Sequence, residues 1–228
     1  MRHIYVLLLA LLLAACSPVK KYQSLPEVIA WENDIKKFEQ LDKTEAYPAE
    51  SVIFAGSSSI RLWSTLAEDM APYPVIQRGY GGAKLSDFAV YSGRIFDPHE
   101  FRAAVIFIAN DITGSDQDKS PEEVLTLYKS LIKTIRKKHE DVPVFWIAIT
   151  PSSSRWKAWP QIQKANNLIK EYSENNTNLY FITTDFAFIG NDGKPKNELF
   201  RDDLLHLNDK GYDVWQEIVK KELDKVLK

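Results

Sequence analysis

One cysteine in 228 residues leaves no partner for a disulfide, so stability must come from a packed core. Lys and Arg number 29 against 31 Asp and Glu, and the net charge of -2 gives no basic excess for a nucleic-acid partner. The 4 histidines and lone cysteine form no His/Cys cluster, so neither a metal nor a cofactor is expected. Only 9 glycines, no internal repeat and no low-complexity stretch exclude collagen and disorder. What is present is 45% hydrophobic residues, 12% of the total aromatic, enough at this length for one sizeable core.

The first segment reads as an address. Arg2 precedes an apolar run from Ile4 to Leu13, which ends in Ala14-Ala15-Cys16. A basic start, a short apolar stretch and small residues before a cut site make a secretory signal, too short for a stable membrane span. Leu13-Ala14-Ala15-Cys16 resembles the bacterial lipobox. That resemblance implies a signal peptide over 1–15 and acylation of Cys16. Residues 16–24 would be the lipid anchor and a polar tether, and the catalytic domain would occupy 25–228. The expected location is the bacterial cell envelope, membrane-anchored and facing the periplasm.

From Leu25 onward, apolar runs alternate with helical patterns. The runs are Val52–Ala55, Val75–Ile76, Ala103–Ala109, Val144–Ile149 and Leu179–Ile182, mostly continuous, as in parallel strands buried on both faces. Ser120-Pro121-Glu122-Glu123 is a capping box opening a helix with Val124, Leu127, Leu131 and Ile135 on one side. Trp159–Tyr172 and Gly211–Leu227 read as two further helices. The alternation predicts a three-layer α/β domain around a parallel sheet.

In such a sheet, ligands bind beyond the carboxyl ends of the strands. There the sequence places Gly56-Ser57-Ser58-Ser59, Gly79-Tyr80-Gly81-Gly82, Asn110-Asp111 and Asp203-Leu204-Leu205-His206. Singly, each has a plain structural reading as a helix cap or a turn. Together on one rim they are the parts of acyl transfer: nucleophile, oxyanion donors, base and orienter. A single helical turn between Asp203 and His206 would let them meet, with Asp202 the alternative orienter. His99 and His139 are expected to be solvated. Trp63 and Trp159 either pack in the core or line an acyl pocket.

These four segments, in this order, resemble the conserved blocks of the SGNH (GDSL-type) hydrolases. Phe54–Trp63 is similar to the nucleophile block, which implies Ser58 as the attacking serine. Gln77–Gly82 resembles the second block, implying the Gly82 N–H as an oxyanion donor beside that of Ser58. Asn110-Asp111 resembles the third and implies the Asn110 amide as another donor. Asp203–Asn208 is similar to the last, implying His206 as general base and Asp203 as its orienter. Thr150–Trp156 also looks like a segment recurrent in bacterial members. The chain departs from the pattern at Ser57, usually acidic, at Gln77, usually Asn, and at Ile108, usually Gly; Ile108 is expected to reshape the pocket beside Asn110. The resemblance implies a flavodoxin-like α/β/α fold with a five-stranded parallel sheet.

The reaction expected is hydrolysis of carboxylic esters, of short-chain or carbohydrate O-acyl type, with Tyr80, Arg155 and Trp156 as substrate contacts. The partners would be a small-molecule or glycan ester and, through the anchor, a membrane. Two alternatives stand beside it: a lysophospholipase of the same family, and an inactive ligand-binding lipoprotein on the same fold.

Overall fold

The structure is a computed structural model that describes residues 18–228. The signal segment and Cys16 lie outside the described residues. Five strands form one parallel sheet: β1 (Val52–Gly56), β2 (Val75–Gly79), β3 (Ala103–Phe107), β4 (Val144–Ile147) and β5 (Leu179–Ile182). Their order is β2-β1-β3-β4-β5. Every residue of the central β1, β3 and β4 is buried, the reason these stretches are continuously apolar. Edge strands β2 and β5 keep half-exposed positions such as Gln77 and Tyr180.

Helices cover both faces. One layer holds α1 (Glu32–Thr44), α2 (Leu85–Phe96), α3 (Pro121–Ile135) and α4 (Trp159–Glu174), packed in that succession. The other holds α5 (Asp209–Leu227) and the short turns between Ser58 and Asp69. There Trp215 of α5 packs against Trp63 and edge-on to Phe107, with centroids 5.8 and 4.8 Å apart. Trp63 is fully buried and Trp159 is 8% exposed, so both belong to the core. At the start of α3, Ser120 Oγ accepts the Glu123 N–H and Glu123 accepts the Ser120 N–H, at 3.2 and 3.1 Å. That reciprocal pair satisfies two otherwise orphaned donors.

Three expectations are corrected at the periphery. Residues 18–24 are not a free tether. They form a 3-10 turn at Lys20–Tyr22, Val19 is buried, and Tyr22 packs against the core. His99 and His139 are buried rather than solvated: His99 lies 3.2 Å from Asp42, and His139 lies against the Phe101 ring. Burial pulls both imidazoles below their usual range, in His99 against the attraction of Asp42. Both sit just ahead of β3 and β4, at the end of the sheet opposite the serine turn.

Candidate active site

The order β2-β1-β3 makes the chain leave β1 in one direction and β3 in the other, which opens a crevice at their carboxyl ends. β1 ends at Gly56, whose φ of +142° and surroundings admit only glycine, since a Cβ would stand 2.0 Å from the Phe107 carbonyl oxygen. The Ser57 N–H then donates to that same oxygen at 2.8 Å. This sharp turn delivers Ser58 as the first residue of a one-turn helix, Ser58–Arg61. Gln77 explains its own departure from the family pattern. Its Nε2 reaches from β2 to the carbonyls of Ile60 and Trp63, at 2.6 and 3.1 Å, and clamps the turn from below. Tyr212 of α5 adds a bond to the Ser59 carbonyl at 2.9 Å.

Ser58 Oγ stands 2.9 Å from His206 Nε2, and His206 Nδ1 stands 2.6 Å from Asp203 Oδ2. Asp203 and His206 do not share a helical turn, as the sequence spacing suggested. They sit in an irregular loop in which Asp203 Oδ1 accepts the N–H groups of Leu205 and His206, each at 2.9 Å. Leu204 adopts a left-handed φ of +53° to make that wrap. An antiparallel bridge between Phe200 and Leu207 closes the loop. Asp202 is exposed and takes no part in it.

Desolvation pushes the Asp203 carboxyl up, but the His206 ring and the two N–H donors outweigh it and hold the pKa at about 2. An ionised carboxylate only accepts, so Nδ1 carries the ring proton and Nε2 is left bare towards the Ser58 hydroxyl. That is the tautomer a general base requires.

Asn110 follows β3. Its Nδ2 donates to the Ala83 carbonyl at 2.8 Å, one residue beyond Gly82. Gly82 has a φ of +75°, and the Trp31 ring lies 3.4 Å from where its Cβ would be. Among the described residues, neither the Ser58 nor the Gly82 N–H has an acceptor. Asp111 takes the Leu85 N–H at 2.6 Å and Lys119 at 3.0 Å, so the Asn110 loop is tied to the start of α2.

The substrate contacts expected from the sequence are redistributed. Tyr80 is 2% exposed and donates its hydroxyl to Asp87 at 2.6 Å, which removes it from the crevice. Desolvation raises the Asp87 carboxyl to about 7 there. Trp156 is half-buried and stacks on Trp159 at 6.0 Å instead of lining the pocket. Arg155 does line it, but its guanidinium is turned to the Ala109 carbonyl, at 2.6 Å, and to Asn110 Oδ1.

Ile108 is 1% exposed in the core and forms no part of the pocket wall, so it does not reshape the space beside Asn110. Its neighbour Phe107 does line that space, because successive strand residues point to opposite faces. With Phe107 stand Thr150, Ser152, Phe200, Leu207 and Trp215, none given a role at the site by the sequence reading. Thr150, Ser152 and Leu207 lie within quoted segments, and Phe107 and Phe200 flank one by a few residues, which is the signal that could have found them. Together these residues bound a small cleft beside Ser58 that is open to solvent.

A model of the GDSL-like lipase/acylhydrolase family matches residues 44–214. Among solved structures, a proposed acylhydrolase from Bacteroides fragilis is 21% identical, covers 85% of this chain and 97% of its own, and superposes with a TM-score of 0.73. A GDSL-like lipase from Bacteroides thetaiotaomicron is 18% identical, with coverages of 85% and 98% and a TM-score of 0.69. A carbohydrate esterase of family 3 from Talaromyces cellulolyticus is 15% identical, with coverages of 78% and 97% and a TM-score of 0.60. At these identities the likeness is one of fold. No curated protein matches the sequence.

Proposed function

Because the chain belongs to the GDSL-like lipase/acylhydrolase family, a family of ester-bond hydrolases, we propose that it is a serine esterase for short-chain or carbohydrate O-acyl esters. The hydrogen-bonded line from Ser58 through His206 to Asp203, opening on a small cleft, carries this reading.

In it, His206 Nε2 takes the Ser58 proton as Oγ attacks the ester carbonyl. The charge that develops on the carbonyl oxygen meets the N–H groups of Ser58 and Gly82 and the Asn110 amide. The tetrahedral adduct collapses as His206 returns the proton to the leaving alcohol oxygen. Water, deprotonated by His206, then attacks the acyl-Ser58 ester, and Ser58 leaves with that proton as the carboxylic acid departs. An acetyl group places one methyl in the pocket. The buried Phe107 and Trp215 bound the cleft there. A lysophospholipase would need room for a long acyl chain, and the small size of the cleft favours the shorter ester.

Fluorophosphonate labelling of the purified domain, combined with rates on aryl esters of increasing acyl length, tests the assignment. Labelling at Ser58 and a kcat/KM for acetate at least about tenfold above butyrate are expected, since one or two misplaced methylenes cost about 1–3 kcal/mol. Absence of labelling would point to a binding protein, and preference for octanoate to a lipolytic one.

The sequence of residues 1–16 supports a second part of the reading, that Cys16 carries lipid and holds the enzyme at the envelope, facing the periplasm. Cys16→Ser is expected to move the protein from the membrane to the soluble fraction. A wild-type protein recovered soluble with a free Cys16 thiol would refute it.

A further inference from the structure

Arg155 poses a question the reaction scheme leaves open. Its side chain is half-buried at the site, yet among the described residues it forms no ion pair with a carboxylate within 4.0 Å. A buried cation without an ion partner is costly, and burial draws its pKa down to about 10 against the pull of the more distant Asp118 and Asp111. What it does contact is the strand end that carries the oxyanion amide: one terminal nitrogen donates to the Ala109 carbonyl, the other to Asn110 Oδ1.

We propose that Arg155 is a positioning residue that fixes which end of the Asn110 amide faces the oxyanion. The inference rests on the esterase reading above. A carboxamide is a nearly symmetric rotor whose oxygen and nitrogen differ little in size, so only hydrogen-bond partners decide its orientation. Arg155 can only donate, so it selects the oxygen. Ala83 can only accept through its carbonyl, so it selects the nitrogen, and takes one of its two protons at 2.8 Å. The second proton is left for the substrate oxygen. With Arg155 gone, the Ala83 carbonyl alone orders the amide, and whatever fraction flips presents a lone pair to a developing negative charge, turning a stabilising group into a repulsive one. The forked guanidinium also binds two acceptors at fixed separation, which a lysine ammonium cannot reproduce.

The test is a double-mutant cycle on an aryl acetate, with Arg155→Ala, Asn110→Ala and the double variant. Arg155→Ala is expected to lower kcat by about 10²-fold with little change in KM, the size of a lost oxyanion donor. In the Asn110→Ala background the same change should cost less than about threefold, because the group it positions is already gone. Millimolar guanidinium should restore part of the rate to Arg155→Ala but none to Asn110→Ala. Should Arg155→Ala fail to fold, Arg155→Lys gives the same reading with a smaller loss in kcat and an unchanged KM. Losses that add in full, a change in KM alone, or an undiminished kcat would overturn the proposal while leaving the esterase assignment standing. A wild type without esterase activity would overturn both.

Discussion

Ser58→Ala is expected to lower kcat on an aryl acetate by about 10³-fold or more and to abolish fluorophosphonate labelling, with the domain still folded. The size follows from chemistry in which Ser58 Oγ forms the bond: without it, His206 has no hydroxyl to deprotonate, and only the oxyanion donors and substrate binding remain. The fold should survive because Ser58 is half-buried and its Oγ bonds only to His206, a net loss of about 1 kcal/mol. The neighbouring serines make the result specific. Ser57 lines the pocket but its side chain caps nothing, and Ser59 is held by its carbonyl. Ser57→Ala and Ser59→Ala should therefore each cost less than about tenfold. Retained activity in Ser58→Ala alongside loss in Ser59→Ala would move the nucleophile by one position.

Asp203→Asn should cost about 10³- to 10⁴-fold in kcat, again without unfolding. The amide oxygen can still accept the N–H groups of Leu205 and His206, so the loop keeps its shape. The amide nitrogen, however, donates towards His206 Nδ1 and drives the ring proton to Nε2, where it blocks uptake of the Ser58 proton. The pH profile of the wild type carries a related signature. Asp203 stays ionised down to about pH 2, so the carboxylate should add no ionisation of its own to the acid limb of kcat/KM. Activity falls as pH falls, because a protonated His206 cannot accept. Two ionisations on the acid limb above pH 3 would mean that the carboxylate is not held as described.

The alternation of apolar runs with helical patterns was enough to read the sheet, because β1, β3 and β4 are buried on both faces and leave no polar residue to break the run. It was silent on α1 and α2. α1 is mostly polar, with Ile35 its one buried residue, and is held by ion pairs that periodicity does not register. Glu32 and Glu39 both bind Arg94, and Asp42 binds Arg78 at 2.5 Å. α2 contains Gly93 and three short polar residues, yet forms because Asp87 and Asp111 satisfy its first N–H groups. Ser58, Asn110, Asp203 and His206 were legible as a set because each closes a strand or a loop at one rim. The pocket wall was not. Which of Phe107 and Ile108 faces the crevice depends on strand register, and Trp215 arrives from α5 across the sheet face. Neither follows from spacing along the chain.

The bond between Ser58 and His206 joins positions 148 residues apart. Everything between must be folded before it can form, since closing so long a loop is worthwhile only when the intervening contacts stabilise it. A chain still being synthesised holds the nucleophile without its base and cannot hydrolyse anything. The protein is thus silent while unfinished, with no pro-segment needed to restrain it. During refolding, the return of turnover should not precede the helical signal or the burial of the tryptophans, because it needs Ser58, His206 and the loops that carry them all in place.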